Sequence, residues 1–293
     1  MIRCQNVSKK IRSSTLLKDV SFEINADTIV GVVGENGAGK STLLKLITGQ
    51  WYPTAGELYV LNERPFNNLF VSMNSIYVGE EMAYPEVLTL REILQENARF
   101  YPNWAMSLAN RLMQHFHFKE DMYYYELSRG KRSAFNAIIG LCSRVPLTVF
   151  DEPTTGMDVA TRKDFYKVLL KDYLNYPRTF LIATHHLEEM DSILERILLL
   201  DDGEIALDLS LDEMREYARG VRGAEVELRS WAEGKAILHE KEVGTDELFI
   251  VVKNDEKVIQ NDEGHFTFHA ISPAELLVYL SSNKRGSIDN VFR

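Results

Sequence analysis

Gly34-Glu35-Asn36-Gly37-Ala38-Gly39-Lys40-Ser41 is the stretch that decides the fold. It matches the pattern G-x-x-x-x-G-K-[ST], whose glycines let the backbone wrap with its N–H groups pointing inward at phosphate oxygens. In that pattern Lys40 reaches the β- and γ-phosphates and Ser41 offers a hydroxyl to Mg2+. Context separates the motif from a chance glycine-rich turn. Thr28-Ile29-Val30-Gly31-Val32-Val33 is a continuous β-branched apolar run, as in a strand buried on both faces. Residues 41–47 read as an apolar helix stopped by Gly49, and its N-terminal dipole adds to the same anion site. The candidate phosphate-binding set is therefore Gly34, Glu35, Asn36, Gly37, Ala38, Gly39, Lys40, Ser41 and Thr42.

Outward from this loop, residues 16–24 end in period-two alternation and read as a half-buried strand. Pro53-Thr54-Ala55-Gly56 is a turn leading into Glu57-Leu58-Tyr59-Val60. From Pro85 to about Leu141 helix formers dominate, which predicts a helical insertion. Strand pattern returns at residues 147–150, 179–183 and 196–200, and strands alternating with helices predict an α/β sheet with a parallel core. The first of these, Leu147-Thr148-Val149-Phe150-Asp151-Glu152, ends in two carboxylates. Beside a phosphate loop, Asp151 is the candidate to hold Mg2+, directly or through water. Glu152, one residue on, is the candidate to accept a proton from an attacking water.

Ser210-Leu211-Asp212-Glu213 is a capping box, and the helix it opens is expected to run to Gly220. Gly220 and Gly223 then mark the expected boundary: a main domain over 1–220, with its helical subdomain over about 85–141, and a small α+β appendage over 221–293. Strand candidates at 248–252 and 265–268, and a second capping box at Ser272-Pro273-Ala274-Glu275, furnish that appendage.

A formal net charge of −10 over 293 residues argues against nucleic acid as the main partner, because a phosphate backbone demands a basic footprint. Cys4 and Cys142 are too few for a disulfide framework or a zinc site and read as reduced thiols of a cytoplasmic protein. His115 and His117 lack metal-ligand company. The first residues have no apolar signal core, and no apolar run approaches the ~18–20 residues that span a bilayer.

Between the two nucleotide motifs lies Leu127-Ser128-Arg129-Gly130-Lys131, just before an apolar helical stretch. It resembles the signature loop L-S-G-G-Q of ATP-binding-cassette (ABC) proteins. Four neighbours stand in the family's order: Pro53-Thr54-Ala55-Gly56-Glu57, the Q-loop segment Ile76-Tyr77-Val78-Gly79-Glu80, the D-loop Thr155-Gly156-Met157-Asp158, and the switch-histidine segment Ala183-Thr184-His185-His186-Leu187-Glu188-Glu189. The resemblance covers residues 1 to about 220. It implies an ABC cassette of the P-loop NTPase class, with a RecA-like α/β core, an antiparallel β subdomain and a helical insertion. It also implies that two cassettes, in a homodimer or with a paralogous cassette, sandwich Mg2+-bound ATP. Each γ-phosphate is then held by one chain's phosphate loop and the other chain's Ser128 and Gly130. Asp158 joins the nucleotide set, Glu80 joins Ser41 and Asp151 around the metal, and His185 contacts the γ-phosphate beside the catalytic Lys40 and Glu152; His186 is the fallback.

The whole is similar to ATPase subunits that pair with separately encoded ABC-2-type exporter permeases, peripheral on the inner face of the cell membrane. A soluble non-transport ABC ATPase and a nucleotide-sensing regulator are the alternatives. Three departures from the pattern stand out. Arg129 and Lys131 replace a glycine and a glutamine, either adding attraction for nucleotide or remaining solvated. Glu80 replaces a glutamine. Ile11 falls where the family often has an aromatic stacked on adenine, which predicts looser recognition of the base.

Overall fold

In the computed structural model, which describes residues 1–184, 187–254 and 266–282, the chain opens with two long antiparallel strands, β1 (Ile2–Ile11) and β2 (Ser14–Ile24). Val20, Phe22 and Ile24 are buried while Asp19, Ser21 and Glu23 are not, the alternation of a strand with one wet face. β3 (Ile29–Val33) is buried at every position, and the glycine loop after it enters α1 (Lys40–Ile47). β4 (Ala55–Val60) pairs with β1 and completes a three-stranded antiparallel sheet of order β2-β1-β4. A short helix, α2 (Leu69–Met73), leads into β5 (Ser75–Val78).

The helical insertion comprises α3 (Leu90–Phe100), α4 (Met106–His115) and α5 (Arg129–Ser143). Thr89 and Glu92 form a capping box that fixes the start of α3. Then come β6 (Leu147–Asp151), α6 (Val159–Asn175), β7 (Thr179–Ala183), β8 (Arg196–Asp201) and β9 (Glu204–Ser210). The second sheet has the order β5-β6-β7-β3-β8-β9 and is parallel from β5 through β8. Val30, Val32, Val149, Leu181 and Leu198 lie fully buried in a core shared with Leu43, Leu46 and Ile47 of α1. Parallel strands finish at the same edge, so β3, β6 and β7 deliver the residues that follow them to one place, where such sheets bind ligands.

The chain divides into two compact units, Met1–Asp208 and Leu209–Arg293. The Ser210–Glu213 capping box does open a helix, α7 (Leu211–Glu216), but that helix stops before Gly220. Gly220 and Gly223 lie inside a strand, β10 (Ala218–Ala224). Their lack of a side chain serves packing: a Cβ at Gly220 would stand 2.8 Å from the Phe249 ring, and one at Gly223 2.4 Å from the Phe266 ring. The division thus falls about a dozen residues earlier than glycine punctuation suggests. α8 (Glu225–Ala232), β11 (Ile237–Val243), β12 (Glu247–Lys253), β13 (Thr267–Ala270) and α9 (Pro273–Ser282) follow. The antiparallel sheet β11-β12-β10-β13 packs Val221, Leu248, Ile250 and Val252 against Leu228 of α8. No described helix is long and apolar enough to cross a membrane.

Candidate active site

The phosphate loop is shaped by backbone that only glycine accommodates. Gly39 has φ 105°, and a Cβ there would lie 2.8 Å from both Leu16 O and a Leu17 methyl. Lys40, the first residue of α1, has a side chain only 7% exposed. A buried ammonium needs compensating oxygens. Its Nζ donates to Gly34 O at 2.7 Å and Glu35 O at 3.2 Å, and Glu152 Oε1 is 3.8 Å away. The loop after β3 and the residue after β6 therefore meet, although β7 separates their strands. Glu35, Asn36, Gly37 and Ser41 are exposed, whereas Ala38 and Thr42 are buried.

Glu152 follows β6 with φ 50°, in the left-handed region that non-glycine residues seldom adopt. Such a conformation costs of order 1–3 kcal/mol and persists only where surroundings enforce it. Its N–H donates to Ala183 O at 3.0 Å, and its carbonyl accepts from Thr155 N at 3.2 Å. Asp151, the last residue of β6, is 9% exposed. The Tyr77 hydroxyl donates to Asp151 Oδ2 at 2.6 Å, while Oδ1 is buried with no hydrogen-bond partner among the described residues. An orphaned carboxylate oxygen close to the loop that carries the Ser41 hydroxyl suits a hard cation such as Mg2+.

Ser128 caps α5, accepting from Lys131 N at 3.4 Å. The start of α5 is held against the segment after Glu152. Ser133 Oγ donates to Thr155 O at 2.7 Å, and a Cβ on Gly130 would stand 2.1 Å from Gly156 O. Asp158 accepts from Thr161 N at 2.9 Å and Thr161 Oγ1 at 2.7 Å as the cap of α6. Those hydrogen bonds hold its carboxyl below the usual range. Asp158, expected among the nucleotide residues, thus has its side chain committed to a helix terminus. Glu80, expected at the metal, has its carboxylate 2.8 Å from Arg129 Nη2 instead. Ile11 is 41% exposed at the end of β1, beside the turn into β2.

His185 and His186 lie outside the described residues; Thr184, just before them, donates its N–H to Val32 O at 3.3 Å. Cys4 and Cys142 are buried free thiols, and burial pushes Cys4 up to about 12, so it is no nucleophile. Tyr77 is the participant the sequence reading passed over. Its signal was slight: one phenol in a four-residue strand.

The family model described as ABC transporter matches residues 17–155. The chain is 30% identical over 216 residues to the ABC transporter ATP-binding protein YtrB of Bacillus subtilis, covering 74% of each chain. It is 27% identical over 223 residues to the SkfA peptide export ATP-binding protein SkfE of the same organism, covering 74% of this chain and 92% of that one. A solved ATP-binding subunit of an ABC transporter superposes with a TM-score of 0.66 at 23% identity, over 73% of this chain and 91% of that one. A dimeric ATP-binding cassette in a post-hydrolysis state with ADP and Pi superposes at 0.64 with 23% identity, over 72% and 99% of the two chains.

Proposed function

Because this chain belongs to the ABC transporter ATP-binding family, we infer that the cluster at the edge of the parallel sheet is its ATP-hydrolysing site. The observation that carries the assignment is the buried Lys40 ammonium, 3.8 Å from Glu152 and held by loop carbonyls. The protein is the ATP-binding, ATP-hydrolysing subunit of an ABC transporter. It works with transmembrane permease subunits and as a dimer of cassettes across ATP.

In our reading, the N–H groups of residues 34–42 and the dipole of α1 hold the phosphates. Lys40 exchanges Gly34 O and Glu35 O for β- and γ-phosphate oxygens. Ser41 and Asp151 would hold Mg2+, which when bound would neutralise charge on those phosphates. Glu80, whose Oε2 accepts from Arg129 in the single chain, would be the third residue of that set. Glu152 accepts the proton of the water that attacks the γ-phosphorus, with Lys40 balancing the charge nearby. His185 supplies a further hydrogen bond to the γ-phosphate.

Ser128 and Gly130 address the nucleotide of a second chain, either an identical copy or a paralogous cassette. Two things support this: Ser128 and Arg129 at the N-terminus of α5 are exposed, and Gly130 packs that turn on the segment following Glu152. Asp158 fixes α6 at the same contact, and Ile11 provides apolar contact to the base. The partner is read as an ABC-2-type exporter permease, which puts the subunit on the cytoplasmic face of the membrane.

The test is Glu152→Gln. Hydrolysis should fall by about 10²–10⁴-fold with the general base gone. Because ATP then persists between the chains, size-exclusion chromatography should show monomer without nucleotide and dimer with Mg·ATP. Adding Ser128→Arg should abolish the dimer while ATP binding survives. A Glu152→Gln protein with wild-type phosphate release overturns the assignment.

A further inference from the structure

One hydrogen bond at this site ties two of the motif segments together, the one ending in Glu80 and the one ending in Glu152. Tyr77 lies on β5 opposite Val149 of β6 in parallel register. Side chains two apart on a strand share a face, so Val149 and Asp151 face the same way as Tyr77, and the phenol reaches diagonally to the strand end. Its hydroxyl meets Asp151 Oδ2 at 2.6 Å. The ring lies close over Gly79, where a Cβ would stand 2.9 Å from it. An apolar residue would serve the packing of this face equally well, so the hydroxyl itself needs a reason.

We propose that Tyr77 is a positioning residue for the metal: by binding Oδ2 it locks the Asp151 carboxylate and leaves Oδ1 as the oxygen offered to the ion. This rests on the reading of Asp151 as a metal-holding residue. The two oxygens have unlike environments, one anchored and one buried without a partner among the described residues. Left unanchored, the carboxylate can rotate and share its charge among other donors. Outer-shell hydrogen bonds of this kind orient metal-binding carboxylates, and their removal typically weakens metal binding.

The experiment uses Mn2+ in place of Mg2+, with binding read by electron paramagnetic resonance. All proteins carry Glu152→Gln and are saturated with ATP, so turnover is slow on the scale of the measurement. Tyr77→Phe, which removes only the hydroxyl, should weaken Mn2+ affinity about tenfold or more, while ATP affinity in EDTA stays unchanged. In an Asp151→Asn background, Tyr77→Phe should produce no further loss. Undiminished Mn2+ affinity in Tyr77→Phe overturns the proposal. So does an equal loss in the Asp151→Asn background, or a parallel loss of metal-free ATP binding, which marks a merely structural role. If Asp151→Asn alone leaves Mn2+ affinity intact, the metal reading of Asp151 itself fails and takes the proposal with it.

Discussion

Arg129 Nη2 donates to Glu80 Oε2 at 2.8 Å across 49 residues of sequence. The cation at the start of α5 and the carboxylate after β5 thus answer each other. Each departs from the family's residue at its own position, and the pairing gives the two departures one explanation. It also resolves what Arg129 does in the single chain: its guanidinium lies on the Q-loop segment.

A double-mutant cycle should detect the pair. Both side chains are more than 60% exposed, so the coupling between Glu80→Gln and Arg129→Gly should be about 0.2–1 kcal/mol at low salt. It should shrink at high salt as screening shortens the range of the interaction. Unfolding measured on the four proteins provides the number. Strict additivity at low salt would show that the contact has no energetic consequence.

Gly130→Ala should be severe for a single methyl. The added carbon falls 2.1 Å from Gly156 O, which is backbone and cannot swing aside. Forced separation should cost about 1–3 kcal/mol. ATP should still bind through the phosphate loop, whereas Mg·ATP-dependent dimerisation should fail, because the start of α5 is displaced. Chromatography with and without nucleotide separates the two effects.

Ile11→Tyr probes base recognition. Ile11 is 41% exposed beside the turn into β2, which leaves room for a ring. A tyrosine that stacks on adenine should tighten ATP binding by about 0.5–1.5 kcal/mol. The unsubstituted protein should discriminate little between ATP and GTP. Titration of both nucleotides against both proteins is the check, and unchanged or weaker ATP affinity in folded Ile11→Tyr contradicts the placement.

Where the chain can be cut follows from the sheets. Ending after Ser210 keeps the six-stranded sheet whole, and that product should stay soluble and bind Mg·ATP. Ending after Gly223 retains β10 without its neighbours β12 and β13. Two unpaired strand edges then invite aggregation. Solubility and nucleotide binding of the two truncations should therefore rank opposite to their lengths.

The residues that announced themselves were those with strong local grammar. A strand buried on both faces next to G-x-x-x-x-G-K-S, and carboxylates ending the strand 147–151, were legible because chemistry and spacing coincide within a few residues. Capping boxes at Ser210 and Ser272 marked helix starts correctly for the same reason. Gly220 and Gly223 misled because a missing side chain signals a turn and a close ring contact equally. Tyr77–Asp151 and Glu80–Arg129 were illegible because such pairs exist only after β5, β6 and α5 come together. Asp158 differs, since its capping partner Thr161 stands only three residues on and the cap is local.

Glu152 has one more consequence, visible only when stability is separated from turnover. Its backbone sits at φ 50°, a conformation Asn and Gly enter easily and β-branched residues resist. Among uncharged replacements, all of which lose the carboxylate alike, Glu152→Asn should melt above Glu152→Gln, and Glu152→Val below it. Differential scanning calorimetry would rank them, with about 1 kcal/mol appearing as roughly 2–4 °C in a chain of this size. A library of variants screened only for heat resistance would therefore enrich the wrong residue at this position. Its best-behaved members would be proteins that hold ATP and cut it only slowly.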